Sequence, residues 1–199
     1  ALMEPLSCVI YGFRRADIQP GDSIVIIGGG VIGIMMLKMA RLSAACRIIV
    51  VEPDAQRREL CREIGADAVF NPNGKNADEE IIKFTRSGTE VVIECVGSIA
   101  AVNQAYQLVK NGGKLIIFGV SPVDQKWAIL PYDIFRKNIT IRSSYLNPFT
   151  FETAVDLVTS GKINFDDLDI RAFPLNVIQE AFKNQIQQKS LKTVIDLSL

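Results

Sequence analysis

Six consecutive residues constrain this chain more than any others: Gly28-Gly29-Gly30-Val31-Ile32-Gly33, placed directly after the apolar run Ser23-Ile24-Val25-Ile26-Ile27. A Gly-x-Gly-x-x-Gly alone is a weak signal. Here it stands at the exit of a predicted strand and the entry of a predicted helix. Glu52 closes the next apolar run, Ile48-Ile49-Val50-Val51, and lies 19 positions after Gly33. Strand, glycine turn, helix and an acid about twenty residues on together make a dinucleotide-binding fingerprint. A glycine-rich turn in an ordinary strand–helix unit, with Glu52 a solvated strand-end charge, is the plainer alternative.

Each position in the fingerprint has a physical task. Gly28 permits the tight turn out of the strand. Gly30 removes the Cβ that would keep a pyrophosphate from the first turn of the helix, and Gly33 lets that helix pack closely on the strand. Phosphates would then face unpaired backbone N–H groups and the positive end of the helix dipole, so the anion needs no Lys or Arg. Glu52 would accept hydrogen bonds from the adenosine ribose and repel the extra phosphate of NADP, which makes NAD the expected cofactor.

Composition narrows the classes. Of 199 residues, 48% are hydrophobic and 22% charged, which suits a globular core and opposes disorder. Basic and acidic residues balance at 22 each, leaving no electrostatic case for nucleic acid or an anionic membrane. The apolar stretch from Ile24 to Leu37 is 14 residues long and holds four glycines, too short to span a bilayer. The start Ala1-Leu2-Met3-Glu4 has no basic n-region or cleavage pattern, so the cytoplasm is the expected location. Cys8, Cys46, Cys61 and Cys95 share no Cys-x-x-Cys spacing and read as reduced, mostly buried thiols. There is no histidine, so neither a catalytic zinc site nor a Ser-His-Asp triad can be built from these residues alone.

Along the chain, strands alternate with helices. Strands are predicted at Ser23–Ile27, Arg47–Glu52, Asp67–Phe70, Val91–Cys95, Lys114–Phe118 and Ile139–Arg142. Between them lie helices over about Val31–Leu42, Asp54–Ile64 with Asp54 as N-cap and Gly65 as stop, Asn76–Arg86, and Ser98–Lys110 ended by Asn111-Gly112-Gly113. An irregular piece carries Pro122 and Pro131. Helical patterns at Thr150–Thr159 and Asn176–Gln187 follow, with a last strand at Lys192–Leu197. This rhythm predicts an α/β fold built on a doubly wound parallel six-stranded sheet, with a ligand at the carboxyl ends of the strands.

Glu4-Pro5-Leu6-Ser7, Gly21-Asp22, Gly28 to Gly33, Val51-Glu52-Pro53, Gly65-Ala66-Asp67, Glu94-Cys95-Val96-Gly97 and Gly112-Gly113-Lys114 resemble, in order and spacing, the medium-chain dehydrogenases. The match is best to the zinc-dependent polyol branch, similar to sorbitol, butanediol and threonine dehydrogenases, and it runs nearly end to end. It implies a Rossmann sheet of strand order 3-2-1-4-5-6. Residues 1–163 would be the NAD-binding domain. Residues 164–199 would be a segment that in relatives returns to a GroES-like catalytic domain, so that here it would be loose or repacked. The zinc ligands of that catalytic domain are not among these residues, and the chain resembles part of a longer protein.

The resemblance also implies roles. Val31 and Ile32 would lie against the pyrophosphate and the nicotinamide side of the cofactor. Arg57 would sit over the adenine, with an exposed helix charge as the alternative reading. Cys95-Val96-Gly97, Phe118-Gly119-Val120 and Ser144-Tyr145 match segments that approach the nicotinamide end, and strand-end packing is the alternative for each. Glu4 matches a glutamate near the catalytic zinc, and in this chain alone would be inert. The implied reaction is oxidation of a secondary alcohol or polyol to a ketone with hydride transfer to NAD, zinc acting as Lewis acid in the parent; no turnover is expected from these residues by themselves. Leu146-Asn147 stands where sorbitol-like enzymes place an Arg-Tyr pair, which puts a sorbitol-type contact in doubt. Tyr11 stands where many relatives have His. Pairing through the Ile139-Thr140-Ile141 edge, as in relatives, would give a homodimer or homotetramer, with a covered edge in a monomer as the alternative reading. An S-adenosylmethionine-dependent methyltransferase, a non-catalytic NAD-sensing module and a zinc-free NADP-linked quinone reductase are the competing readings.

Overall fold

The structure is a computed structural model that describes residues 1–199. Six strands, β1 (Ser23–Ile27), β2 (Arg47–Val51), β3 (Ala68–Phe70), β4 (Thr89–Glu94), β5 (Val109–Ile117) and β6 (Thr140–Ser143), lie in the order β3-β2-β1-β4-β5-β6. Every pair is parallel. The order reverses between β1 and β4, which opens a crevice beyond the strand ends.

Eight α-helices accompany the strands: α1 (Met3–Ala16), α2 (Val31–Arg41), α3 (Ala55–Ile64), α4 (Ala77–Thr85), α5 (Ile99–Leu108), α6 (Pro131–Lys137), α7 (Phe151–Thr159) and α8 (Ile178–Ile186). Alternation along the strands splits the core in two. Ile24, Ile26, Ile48, Val50, Val91 and Ile93 face α1, α2 and α7. Val25, Ile27, Ile49, Val51, Val92 and Leu115 face α4 and α5. All five β1 residues are buried, as a central strand covered on both faces requires. The caps follow the sequence: Asp54 accepts from the Arg57 N–H, Gly65 adopts a left-handed conformation, and Ser98 accepts from the Ala101 N–H.

Four stretches depart from the sequence reading. Helix α1 was not expected, because Pro5 and Gly12 interrupt its pattern. Pro5 lies in the first turn, where it is tolerated. Leu6, Val9, Ile10 and Phe13 recur at helical spacing toward the core. Helix α5 ends at Leu108 rather than Lys110, and β5 starts at Val109 rather than Lys114. Val109 bridges Thr89, the register shifts before Val91 pairs with Lys114, and Asn111-Gly112-Gly113 is an irregularity inside the strand. Helix α6 forms within the piece read as irregular, with Pro131 presetting its first turn.

The last departure lies in the C-terminal stretch, where an unpredicted strand at Ile170–Phe173 joins the predicted helix and final strand. This stretch forms β7 (Ile170–Phe173) and β8 (Lys192–Ile195), a parallel pair connected through a 3₁₀ turn (Leu175–Val177) and α8. Leu168 joins the buried cluster beneath α2, and Asp167 pairs with Lys38 at 2.6 Å. No helix is long and apolar enough to cross a membrane.

Candidate dinucleotide-binding crevice

Parallel register brings five strand ends into one row. Val51, Ile27, Glu94, Ile117 and Ser143 are successive neighbours across β2, β1, β4, β5 and β6. The residues that follow them, Glu52, Gly28, Cys95, Phe118 and Ser144, leave the sheet along the same edge.

The glycine turn divides its work unevenly. Gly28 has φ +101°, a left-handed geometry that favours glycine. A Cβ on Gly33 would overlap the Gly28 carbonyl oxygen, so its close approach is to the turn itself. Gly30 differs: a Cβ there would meet nothing within 4 Å. The fold does not need that glycine, whereas a ligand lying against it would. No protein acceptor takes the N–H groups of Val31, Ile32 and Gly33, which open α2.

Glu52 is 4% exposed. Its Oε2 accepts from the Gly29 N–H at 2.6 Å, and its Oε1 accepts from the Asp54 N–H at 2.9 Å. Each oxygen keeps a second lone pair for a ligand hydroxyl. Gly29, a position to which the sequence pattern assigns no task, is held to this geometry: a Cβ there would lie 3.0 Å from Glu52 Cγ. Arg58 donates to the main-chain carbonyls of Glu52 at 2.8 Å and Pro53 at 2.6 Å, bracing the strand end.

Gly28, Gly30, Glu52, Arg57 and Val96 share the wall of a crevice of about 620 Å³, with Pro72, Asn73 and Gln104 at its far side. Gly30, Val31, Ile32, Gly33 and Arg57 border an adjoining cavity of about 360 Å³, closed by Pro5, Gln188 and Lys192. Arg57 Nη2 donates to Gln188 Oε1 at 3.0 Å where the two spaces meet. Gln188 and Lys192 were invisible to sequence reasoning, because they lie far along the chain in no motif. Lys192 makes none of the molecule's ion pairs and brings a cation to the mouth of α2.

The remaining candidates lie outside both cavities. Phe118 packs against α1, where a Cβ on Gly12 would come within 2.6 Å of its ring. Gly119 abuts Gly97. Val120 and Tyr145 are largely exposed, and the Ser144 hydroxyl is buried without a partner. Glu4 is exposed on the first turn of α1 and accepts from the Cys8 thiol at 3.2 Å. Burial, then that hydrogen bond and the Glu4 charge, push the Cys8 pKa up to about 11. No group of three or more His, Cys, Asp or Glu side chains could hold a metal ion. The residues present therefore do not make a zinc site.

The zinc-binding dehydrogenase family matches residues 31–160. Sorbitol dehydrogenase of Rattus norvegicus is 30% identical over 199 residues, covering 98% of this chain and 55% of that enzyme. The NADP-bound structure of a Sinorhizobium meliloti 1021 protein assigned to the zinc-binding dehydrogenases is 34% identical. It has a TM-score of 0.85, with 92% of this chain and 54% of that one covered. A Clostridium scindens ATCC 35704 structure of the same assignment superposes with a TM-score of 0.92 at 25% identity, covering 100% of this chain and 56% of that one. The chain spans about half the length of the curated relatives it matches. These likenesses give no support to the methyltransferase or non-catalytic readings.

Proposed function

Since the chain belongs to the zinc-binding dehydrogenase family, we propose that it is the NAD-binding portion of an enzyme that oxidises a secondary alcohol or polyol to a ketone. The observation that carries this is Gly30. Its missing side chain serves no contact in the protein, yet it opens the wall shared by the two adjoining cavities beside the unpaired N–H groups of α2.

The pyrophosphate would lie against Gly30 and Val31, with Lys192 opposite, where helix N–H groups and one cation favour a doubly charged anion. The Glu52 carboxylate would take the adenosine ribose hydroxyls, and Arg57 would flank the base. Buried negative charge at Glu52 would disfavour a 2′-phosphate, which makes NAD the expected cofactor rather than the NADP held by the Sinorhizobium meliloti relative. The nicotinamide, extending past Ile32 toward Val96 and the turn at Phe118, Gly119 and Val120, would supply the hydride acceptor. Ser144 and Tyr145 would border its ribose. The chain's own part is positional: it holds one face of that ring at a fixed place relative to a substrate.

Zinc ligands would come from a further part of the protein, with Glu4, on the turn next to Pro5, approaching that site. In this division residues 1–163 form the cofactor domain and residues 164–199 the return toward the second part. A homodimer or homotetramer joined along β6 and a cytoplasmic location complete the reading.

Thermal unfolding with NADH, NADPH and S-adenosylmethionine tests it. A ligand at a hundredfold over its Kd stabilises by about 2.7 kcal/mol, roughly 5–10 °C in Tm for a chain of this size. The expected result is a rise with NADH, a smaller one with NADPH and none with S-adenosylmethionine. A rise with S-adenosylmethionine alone would overturn the reading.

A further inference from the structure

At the end of β4 the chain buries a carboxyl that neither the fingerprint nor any ion pair uses. Glu94 has no solvent exposure. Its Oε1 accepts from the N–H groups of Val96 at 2.6 Å and Gly97 at 2.7 Å. Its main-chain carbonyl accepts from the N–H groups of Phe118 at 3.0 Å and Gly119 at 2.9 Å. One residue thereby ties the turn after β4 to the turn after β5. Two glycines allow the turns to touch. A Cβ on Gly97, at φ +83°, would lie 2.5 Å from the Val120 carbonyl oxygen, and a Cβ on Gly119 would overlap the Gly97 nitrogen.

The second oxygen, Oε2, is buried and has no partner. No cation faces it. Glu90 and Lys110 belong to the opposite ends of β4 and β5, about 13 Å away along the strands, and Lys114, paired with Val91, lies about 10 Å away and turns its amine to Asp17. Helix α5 carries no charged residue, and α2 bears Lys38 and Arg41 at its far end. Helix α1 engages Arg14 with Thr153 and Arg15 with the Ser143 carbonyl. Glu52 lies across β1 at the end of β2, and the adjacent Cys95 thiol is itself pushed up by burial and by Glu94. A half-paired carboxylate in such a place costs more than the neutral acid. Burial raises the Glu94 pKa against the opposing effect of the Gly97 and Val96 N–H groups.

We propose that Glu94 is a positioning residue for the cofactor, a neutral carboxyl that clamps the turns after β4 and β5 so that Cys95 and Val96 hold their place on the crevice wall. This rests on the dinucleotide reading of that crevice. The clamp lies at the switch point of the sheet, where a sub-ångström shift of either turn changes the surface offered to a bound ring.

Infrared difference spectra between wild type and Glu94→Gln read the protonation state without any cofactor. Above the pH at which an ordinary glutamate ionises, about 4.3, the wild type should still show a neutral-carboxyl C=O band that the variant lacks. NADH titration reads the clamp. Gln keeps the Oε1 acceptor, so Glu94→Gln should bind NADH within about twofold of wild type and lose less affinity as the pH rises. Glu94→Ala strands two N–H groups and should bind about tenfold more weakly; if it does not fold, Glu94→Asp, whose shorter arm misses the same N–H groups, replaces it. A missing band, an equal pH profile, or a Gln variant as weak as the Ala variant would overturn the proposal. If the wild type binds no NADH, the positioning role falls with the cofactor reading, and the band alone decides the protonation state.

Discussion

The Cβ that Gly33 lacks would occupy the carbonyl oxygen of Gly28, whereas the Cβ that Gly30 lacks would occupy empty space. Two glycines of one motif thus answer to different demands, one from the fold and one from a ligand. Gly33→Ala should destabilise the chain by about 3 kcal/mol through forced separation of α2 from the turn. Gly30→Ala should leave stability within about 1 kcal/mol and remove the NADH-induced rise in Tm. Urea unfolding of both variants, with and without NADH, separates the two roles. Equal loss of stability in both would refute the distinction.

Glu52 has a structural and a selective task. Glu52→Ala leaves the buried Gly29 N–H without its 2.6 Å acceptor, and a loss of about 1–3 kcal/mol is expected. The same change removes the charge that would oppose a 2′-phosphate. The ratio of NADPH to NADH dissociation constants should move toward one. Fluorescence titration with both nucleotides checks this, and an unchanged ratio would remove Glu52 as the selector.

Acid unfolding should report on Glu90. Burial alone would raise its pKa, but hydrogen bonds from Lys110 at 2.5 Å and from the Ser23 hydroxyl and N–H outweigh it and hold the value at about 2. The unfolded chain titrates near 4.3, so the native state binds this proton less readily. Its stabilisation is complete above that pH and disappears as the pH falls toward 2. Glu90→Gln should be less stable than wild type by about 1 kcal/mol at neutral pH, a modest figure because the pair is partly exposed. The difference should shrink between roughly pH 4.3 and 2. Urea midpoints across that range measure it.

Thiol chemistry should be confined to one cysteine. Burial, then the Glu52 charge, pushes the Cys61 thiol up to about 12, and Cys8 stands at about 11. Cys95 is raised as well, by burial first and then by Glu94. Cys46 is the exposed member of the four. Iodoacetamide at about pH 8 should label Cys46 alone in the folded protein and all four after unfolding. Mass mapping of the labelled peptides decides it, and fast labelling of Cys95 would show that the β4 turn opens.

Much of the architecture was legible because its signals are local. The apolar run of β1, the turn at Gly28, the helix after it and Glu52 at the end of β2 all follow from periodicity and residue type over some thirty positions. Asp54, Gly65 and Ser98 marked helix ends for the same reason, since a cap depends on its immediate neighbours. Alternating strands and helices then restricted the sheet to a doubly wound order.

What only the tertiary structure decided involves partners distant in sequence. Helix α1 is hidden by Pro5 and Gly12 until Phe118 is seen against Gly12. Gly29 reads as filler until Glu52 lies beside it. Glu94 reads as a strand-end acid, yet the crossing of two turns over it leaves one oxygen buried and unpaired. Gln188 and Lys192 carry no motif and reach the crevice only because the chain after α8 docks beside α2 and α3. Periodicity and caps are properties of neighbouring residues, whereas burial, close approach and a missing hydrogen-bond partner are properties of what the fold places around a residue.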